Sequence, residues 1–110
     1  MKVLVVDDSP EQINFLRAVI NRLGHDIVSF LTINEAQGCT NFDIALIDQN
    51  LEDGQGIDLI NYFSKAKVQA RFYLISATKP KDEFIKHLNS LGADFLQKPL
   101  SPVILSKILS

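Results

Sequence analysis

Four apolar residues in a row, Ile44-Ala45-Leu46-Ile47, end on the carboxylate Asp48 and open into a loop holding Gly54 and Gly56. A continuous apolar run of this length, bounded by turn residues, reads as a strand buried on both faces. A sheet covered by helices on each side buries a strand that way. Asp48 then sits where the strand leaves the core, at the carboxyl edge where open α/β sheets place their chemistry. Two other segments end alike: Val3-Leu4-Val5-Val6 runs into Asp7-Asp8, and Phe72-Tyr73-Leu74-Ile75 runs into Ser76. As parallel neighbours, these three strands bring three carboxylates and a hydroxyl to one edge.

The rest of the chain supplies the helices such a sheet needs. A strand over Lys2–Asp7 leads to Ser9-Pro10-Glu11-Gln12, where Ser9 caps a helix, Pro10 fits its first position and Gln12 is placed to close a capping box. Ile13, Leu16, Ile20 and Leu23 follow at spacings of three and four, with Phe15 and Val19 beside them, and Gly24 is the stop. Ile27–Leu31 is a second strand, less apolar and suited to an edge. A brief helix is expected around Glu35–Cys39, weakened by Gly38. The central strand is Asp43–Asp48, and Gly56 precedes a helix with Ile57, Ile60 and Phe63 on one side. A strand over Ala70–Ser76, a helix over Lys81–Leu91 stopped by Gly92, and a short strand over Asp94–Gln97 come next. Ser101-Pro102 caps a last helix carrying Ile104, Leu105 and Ile108. Strands alternating with helices through short loops predict a parallel sheet with right-handed crossovers.

Bulk composition narrows the functional classes. With 110 residues, 46% of them hydrophobic, the chain is one domain able to bury roughly two-thirds of its unfolded surface. A formal charge of −2 gives no reason to expect nucleic acid or an anionic membrane as a direct partner. The single Cys39 excludes an intramolecular disulfide and suits a reducing cytosol. No apolar run approaches the roughly 18 residues of a membrane span. These readings predict a cytoplasmic domain.

Asp7-Asp8 after the first strand, Asp48 after the third, Ser76-Ala77 after the fourth and Lys98-Pro99 after the fifth resemble the signature of response regulator receiver domains in two-component signalling. The stretches DQNLEDGQG and GADFLQKP are similar to the same family, and the resemblance covers the whole chain. It implies a flavodoxin-like, doubly wound, five-stranded parallel sheet in the order 2-1-3-4-5, with five helices of which the second and fifth are short. It also implies that Asp48 is the phosphoacceptor, assisted by Ser76 and Lys98. Mg²⁺ is implied on Asp8, Asp48 and the backbone carbonyl of Asn50, with Asp7 on the ion directly or one layer out. The chemistry of the residues agrees, since three crowded carboxylates repel and an oxygen-only set suits a hard divalent cation.

By the same resemblance, the partners are a sensor histidine kinase or phosphotransfer protein, and an output domain or effector that docks on the face of the fourth helix, fifth strand and fifth helix. Ser76 moving toward a phosphoryl group and Phe95 turning inward behind it would form the switch. Catalysis is confined to the chain's own phosphorylation and dephosphorylation. The chain is expected to be the amino-terminal module of a longer regulator, with a stand-alone receiver as the other option. Three departures are visible. The Asp8-to-Asp48 span is short, which predicts a short or irregular second helix. Glu52 stands where a proline is common, which would loosen the acidic loop. Phe95 takes the place of a second acid after Asp94, which argues against a dimer through charged pairs on that face but leaves a homodimer on phosphorylation open.

Other classes fit less well. A receiver-like binding module that works without phosphorylation has no need of Asp8, Asp48, Ser76 and Lys98 together. An aspartyl phosphohydrolase places its two acids with one residue between them, whereas Asp7 and Asp8 are adjacent. A flavin module wants hydroxyls and glycines after the first strand.

Overall fold

The structure is a computed structural model and describes all 110 residues. Its main sheet has five strands, β1 (Lys2–Val6), β2 (Asp26–Phe30), β3 (Ile44–Asp48), β4 (Arg71–Ser76) and β5 (Ala93–Gln97). The helices are α1 (Pro10–Arg22), α2 (Ile33–Ala36), α3 (Gly56–Lys65), α4 (Asp82–Ser90) and α5 (Pro102–Ile108). All strand pairs in this sheet are parallel, in the order β2-β1-β3-β4-β5. Between β3 and α3 the loop folds into a small antiparallel ribbon, Asn50–Leu51 against Gly54–Gln55. The fold is the doubly wound, flavodoxin-like one implied by the resemblance, with α2 and α5 short at four and seven residues.

Alternation along the strands splits the core into two layers. Leu4, Val6, Ala45, Ile47, Phe72 and Leu74 face α2, α3 and α4, packing on Ile33, Ile60, Phe63 and Leu88. Val3, Val5, Ile44, Leu46 and Ile75 face α1 and α5, packing on Ile13, Leu16, Ile20 and Leu105. Every residue of β3 is buried, as its unbroken apolar text requires. The edge strand β2 has none fully buried, in line with its thinner apolar content.

The helix starts follow capping chemistry. Ser9, Thr32 and Ser101 each accept a backbone N–H three residues on. Ser101 Oγ takes the Ile104 N–H at 3.1 Å. Ser101→Ala is therefore expected to cost about 1 kcal/mol and fray α5, read as a lower midpoint in urea.

Two local expectations are corrected. The second helix runs over Ile33–Ala36 and not Glu35–Cys39. Thr32 caps the helix, its Oγ1 accepting the Glu35 N–H at 3.2 Å while its hydroxyl donates to Glu35 Oε1 at 3.1 Å, and this outweighs the pull of the later residues. At α1, Gln12 donates its N–H to Ser9 Oγ at 3.3 Å, but the box is not closed by its side chain. The Ser9 N–H goes instead to Asp7 Oδ1 at 2.9 Å.

Candidate functional site

The sheet register assembles the site step by step. Val6 lies opposite Ile47, so the next residues, Asp7 and Asp48, leave the sheet side by side. Asp48 lies opposite Ile75, which places Ser76 one residue further out. Ser76 in turn lies opposite Gln97, and Lys98 follows. Backbone bonds carry the ladder to this edge: Gln49 N–H to Ile75 O at 2.8 Å, and Lys98 N–H to Ser76 O at 2.9 Å.

The side chains converge accordingly. Lys98 Nζ stands 3.5 Å from Asp7 Oδ2 and 3.4 Å from Asp48 Oδ2. One carboxylate oxygen from each of Asp7, Asp8 and Asp48 lies within 4.8 Å of the others. Asp7, Asp48 and Ser76 are buried, whereas Asp8 is exposed. Asp7 is oriented by the Ser9 N–H already described, a bond its neighbour at the start of α1 supplies. Ser76 Oγ accepts the Thr78 N–H at 3.2 Å. The Lys98-Pro99 peptide is cis.

Burial raises the Asp48 carboxyl above the ordinary aspartate range, and the Asp7 charge raises it further. Lys98 and a backbone hydrogen bond from Asn50 act the other way without cancelling this. An ammonium at 3.4 Å would by itself favour the carboxylate, but this one is shared between two buried acids and its side chain is about a quarter exposed. Desolvation wins.

Each residue singled out in the sequence has a place here. Asp7, Asp8, Asp48 and Lys98 form one cluster, and Ser76 borders it on the next strand. Asn50 lies two residues past Asp48 at the base of the ribbon. Phe95 is half-buried and lines a cleft of about 370 Å³ with Gln49, Asn50, Ser76, Thr78 and Phe84.

Three contributors were not legible as such. A Cβ on Gly56 would stand 2.3 Å from the Asp48 carbonyl oxygen, so α3 can begin this close to the site only with glycine there. Gln49 caps α3 from outside, its Oε1 accepting the Ile57 N–H at 3.1 Å. Asp53 reaches across to α2, accepting the Ile33 and Asn34 N–H groups at 2.9 and 3.0 Å. Gly56 had a visible signal in its position before a helix; the other two had none, because their partners depend on packing.

Residues 3–110 match the family described as "Response regulator receiver domain". The response regulator protein PilR of Pseudomonas aeruginosa is 33% identical over 102 residues, covering 90% of this chain but only 23% of PilR. A chemotaxis protein CheY homolog of Campylobacter jejuni is 28% identical over 121 residues, covering 99% of this chain and 89% of that one. Among solved structures, a CheX-CheY-BeF3-Mg complex from Borrelia burgdorferi superposes with a TM-score of 0.89 at 26% identity, covering 99% of this chain and 86% of the matched one. No helix is long and apolar enough to cross a membrane. A match that runs nearly end to end, on a sheet wound as the residues required, means that the chain belongs to the response regulator receiver domain family of two-component systems.

Proposed function

We propose that residues 1–110 act as a phosphoacceptor receiver, taking a phosphoryl group onto Asp48 from the phosphohistidine of a sensor kinase or phosphotransfer protein. The observation that carries this reading is Lys98 Nζ held between Asp7 and Asp48 at 3.5 and 3.4 Å, beside a third acid that solvent can reach. Three carboxylates against one ammonium leave an oxygen-lined site short of positive charge, which fits Mg²⁺. Asp7, Asp8, Asp48 and the Asn50 backbone carbonyl would hold the ion. When bound, it supplies positive charge next to the oxygens of the incoming phosphoryl group.

The chain's own groups account for the rest. A carboxylate oxygen of Asp48 attacks phosphorus as the donor's P–N bond breaks, with the bonding pair leaving on the imidazole nitrogen. Lys98 offsets the negative charge of the phosphoryl oxygens, and Ser76 donates its hydroxyl to one of them. To do so Ser76 turns away from the cleft it shares with Phe95. Phosphorylation adds about one to two negative charges, and the two arrangements of Ser76 and Phe95 become a population shift. The surface of α4, β5 and α5 then changes shape for an output domain or separate effector.

The test is direct. Incubation with a small acyl phosphate and Mg²⁺ should add one phosphoryl group to the intact protein by mass spectrometry, and chelation should stop it. No uptake would instead support a receiver that works by binding alone. The metal can be checked separately. Mg²⁺ at ten times its Kd should stabilise the fold by about 1.4 kcal/mol through linkage, raising the thermal midpoint, and Asp8→Asn should reduce that rise.

A further inference from the structure

The loop after Asp48 pairs only with itself, Asn50 with Gln55 and Leu51 with Gly54, and stands mostly in solvent. Asn50, Glu52, Asp53, Gly54 and Gln55 are exposed, and Leu51 alone reaches the core. Its base is clasped by Gln49, whose backbone oxygen accepts the Gly56 N–H at 2.9 Å and whose side chain accepts that of Ile57. Its tip is tied to α2 by Asp53, one carboxylate oxygen on the Ile33 N–H and the other on the Asn34 N–H. These are the first two donors of α2, and Thr32 takes the third. A four-residue helix has no cooperative stability of its own, so these side chains define it.

Both bonds from Asp53 favour its charged form. The Asn34 and Ile33 N–H groups hold its carboxyl below the ordinary aspartate range. Gly54 leaves room for α2 to approach, since Ile33 Cδ1 lies 3.0 Å from where a Cβ on Gly54 would stand.

We propose that Asp53 is the positioning residue of the acceptor loop, fixing the backbone between Asp48 and Gly56 by bracing its tip against α2. This rests on the reading of that loop as part of a metal-dependent phosphoacceptor site. Two charge-assisted bonds from one carboxylate set orientation as well as distance. The Asn50 carbonyl lies in the ribbon that Asp53 anchors, so releasing the tip loosens one side of the ion's coordination.

Three variants separate positioning from simple helix support. Asp53→Ala removes the brace, Asp53→Asn keeps one acceptor oxygen, and Thr32→Ala removes the other cap of α2 without touching the loop. In metal-free protein, Asp53→Ala should speed amide hydrogen exchange over residues 50–55 about tenfold. It should also weaken Mg²⁺ binding, read by calorimetry, about tenfold, the low end for groups that orient metal ligands from outside. Asp53→Asn should fall between, and Thr32→Ala should lower the thermal midpoint while leaving both quantities near wild type.

Unchanged exchange in Asp53→Ala would overturn the proposal. So would faster exchange with unaltered Mg²⁺ affinity, or a Thr32→Ala variant that matches it in both. A wild-type protein that binds no Mg²⁺ would instead refute the reading of the site, while the metal-free exchange rates still decide whether Asp53 braces the loop.

Discussion

Asp48→Asn should take up no phosphoryl group under conditions that label the wild-type chain, a fall of at least about 10³-fold, because the amide oxygen is a poor nucleophile. Intact mass after incubation with an acyl phosphate reads this directly, and peptide mapping of the wild type should place the label on Asp48. Unchanged labelling in the variant would move the acceptor elsewhere. The same substitution should make the metal-free protein more stable at neutral pH. Burial and Asp7 raise the Asp48 carboxyl in the folded state, so folding favours its protonated form. The group's stabilising contribution is therefore complete below the ordinary aspartate range and is lost as pH rises through the folded-state value. Asparagine does not ionise and escapes that loss, and Lys98 keeps Asp7 as its partner at 3.5 Å. The thermal midpoint of Asp48→Asn should exceed that of the wild type at pH 7, by about 4–8 °C for each kcal/mol gained. The difference should shrink as the solution is acidified. A variant that melts below the wild type at pH 7 would show that pairing with Lys98 outweighs desolvation.

Gly56→Ala should be strongly destabilising. Its Cβ would meet the Asp48 carbonyl oxygen at 2.3 Å, the Asp48 carbonyl carbon at 3.0 Å and Leu74 Cδ1 at 2.9 Å. Leu74 can shift its methyl group, but the carbonyl belongs to the end of β3, whose neighbours on both sides are bonded to it. Relief requires α3 or the Asp48 peptide to move. A loss of about 3 kcal/mol is expected, a large share of the roughly 5–15 kcal/mol of a domain this size. Gly38→Ala is the control, since nothing lies within 4 Å of its added Cβ, and it should stay within about 0.5 kcal/mol of wild type. Urea denaturation compares the two. Equal midpoints would mean that the approach of α3 to Asp48 is looser than its geometry indicates.

Much of the molecule could be read in advance because its signals are local. Five apolar segments with helices between them, each strand ending on the same kind of edge, are properties of stretches a few residues long. Misplacements also arose locally, where two signals competed. The helix expected over Glu35–Cys39 gave no weight to Thr32, whose hydroxyl caps the Glu35 N–H and sets the start of α2 earlier. At α1, Ser9 had one N–H and two candidate acceptors, and the buried Asp7 took it. Around Glu52, which stands where a proline is common, the ribbon pairs Asn50 with Gln55 and Leu51 with Gly54, and Asp53 ties its tip to α2.

The order of strands and helices, the covering of both faces of the sheet and the acid, hydroxyl and lysine at the strand ends were set by sequence, since periodicity and chain continuity suffice for them. Which oxygens face Lys98, that desolvation rather than Lys98 governs the Asp48 proton, that Gly56 abuts a carbonyl and that Asp53 finds donors twenty residues away were decided by tertiary structure alone. Those are distances between groups remote along the chain, and they exist only once the two layers have packed.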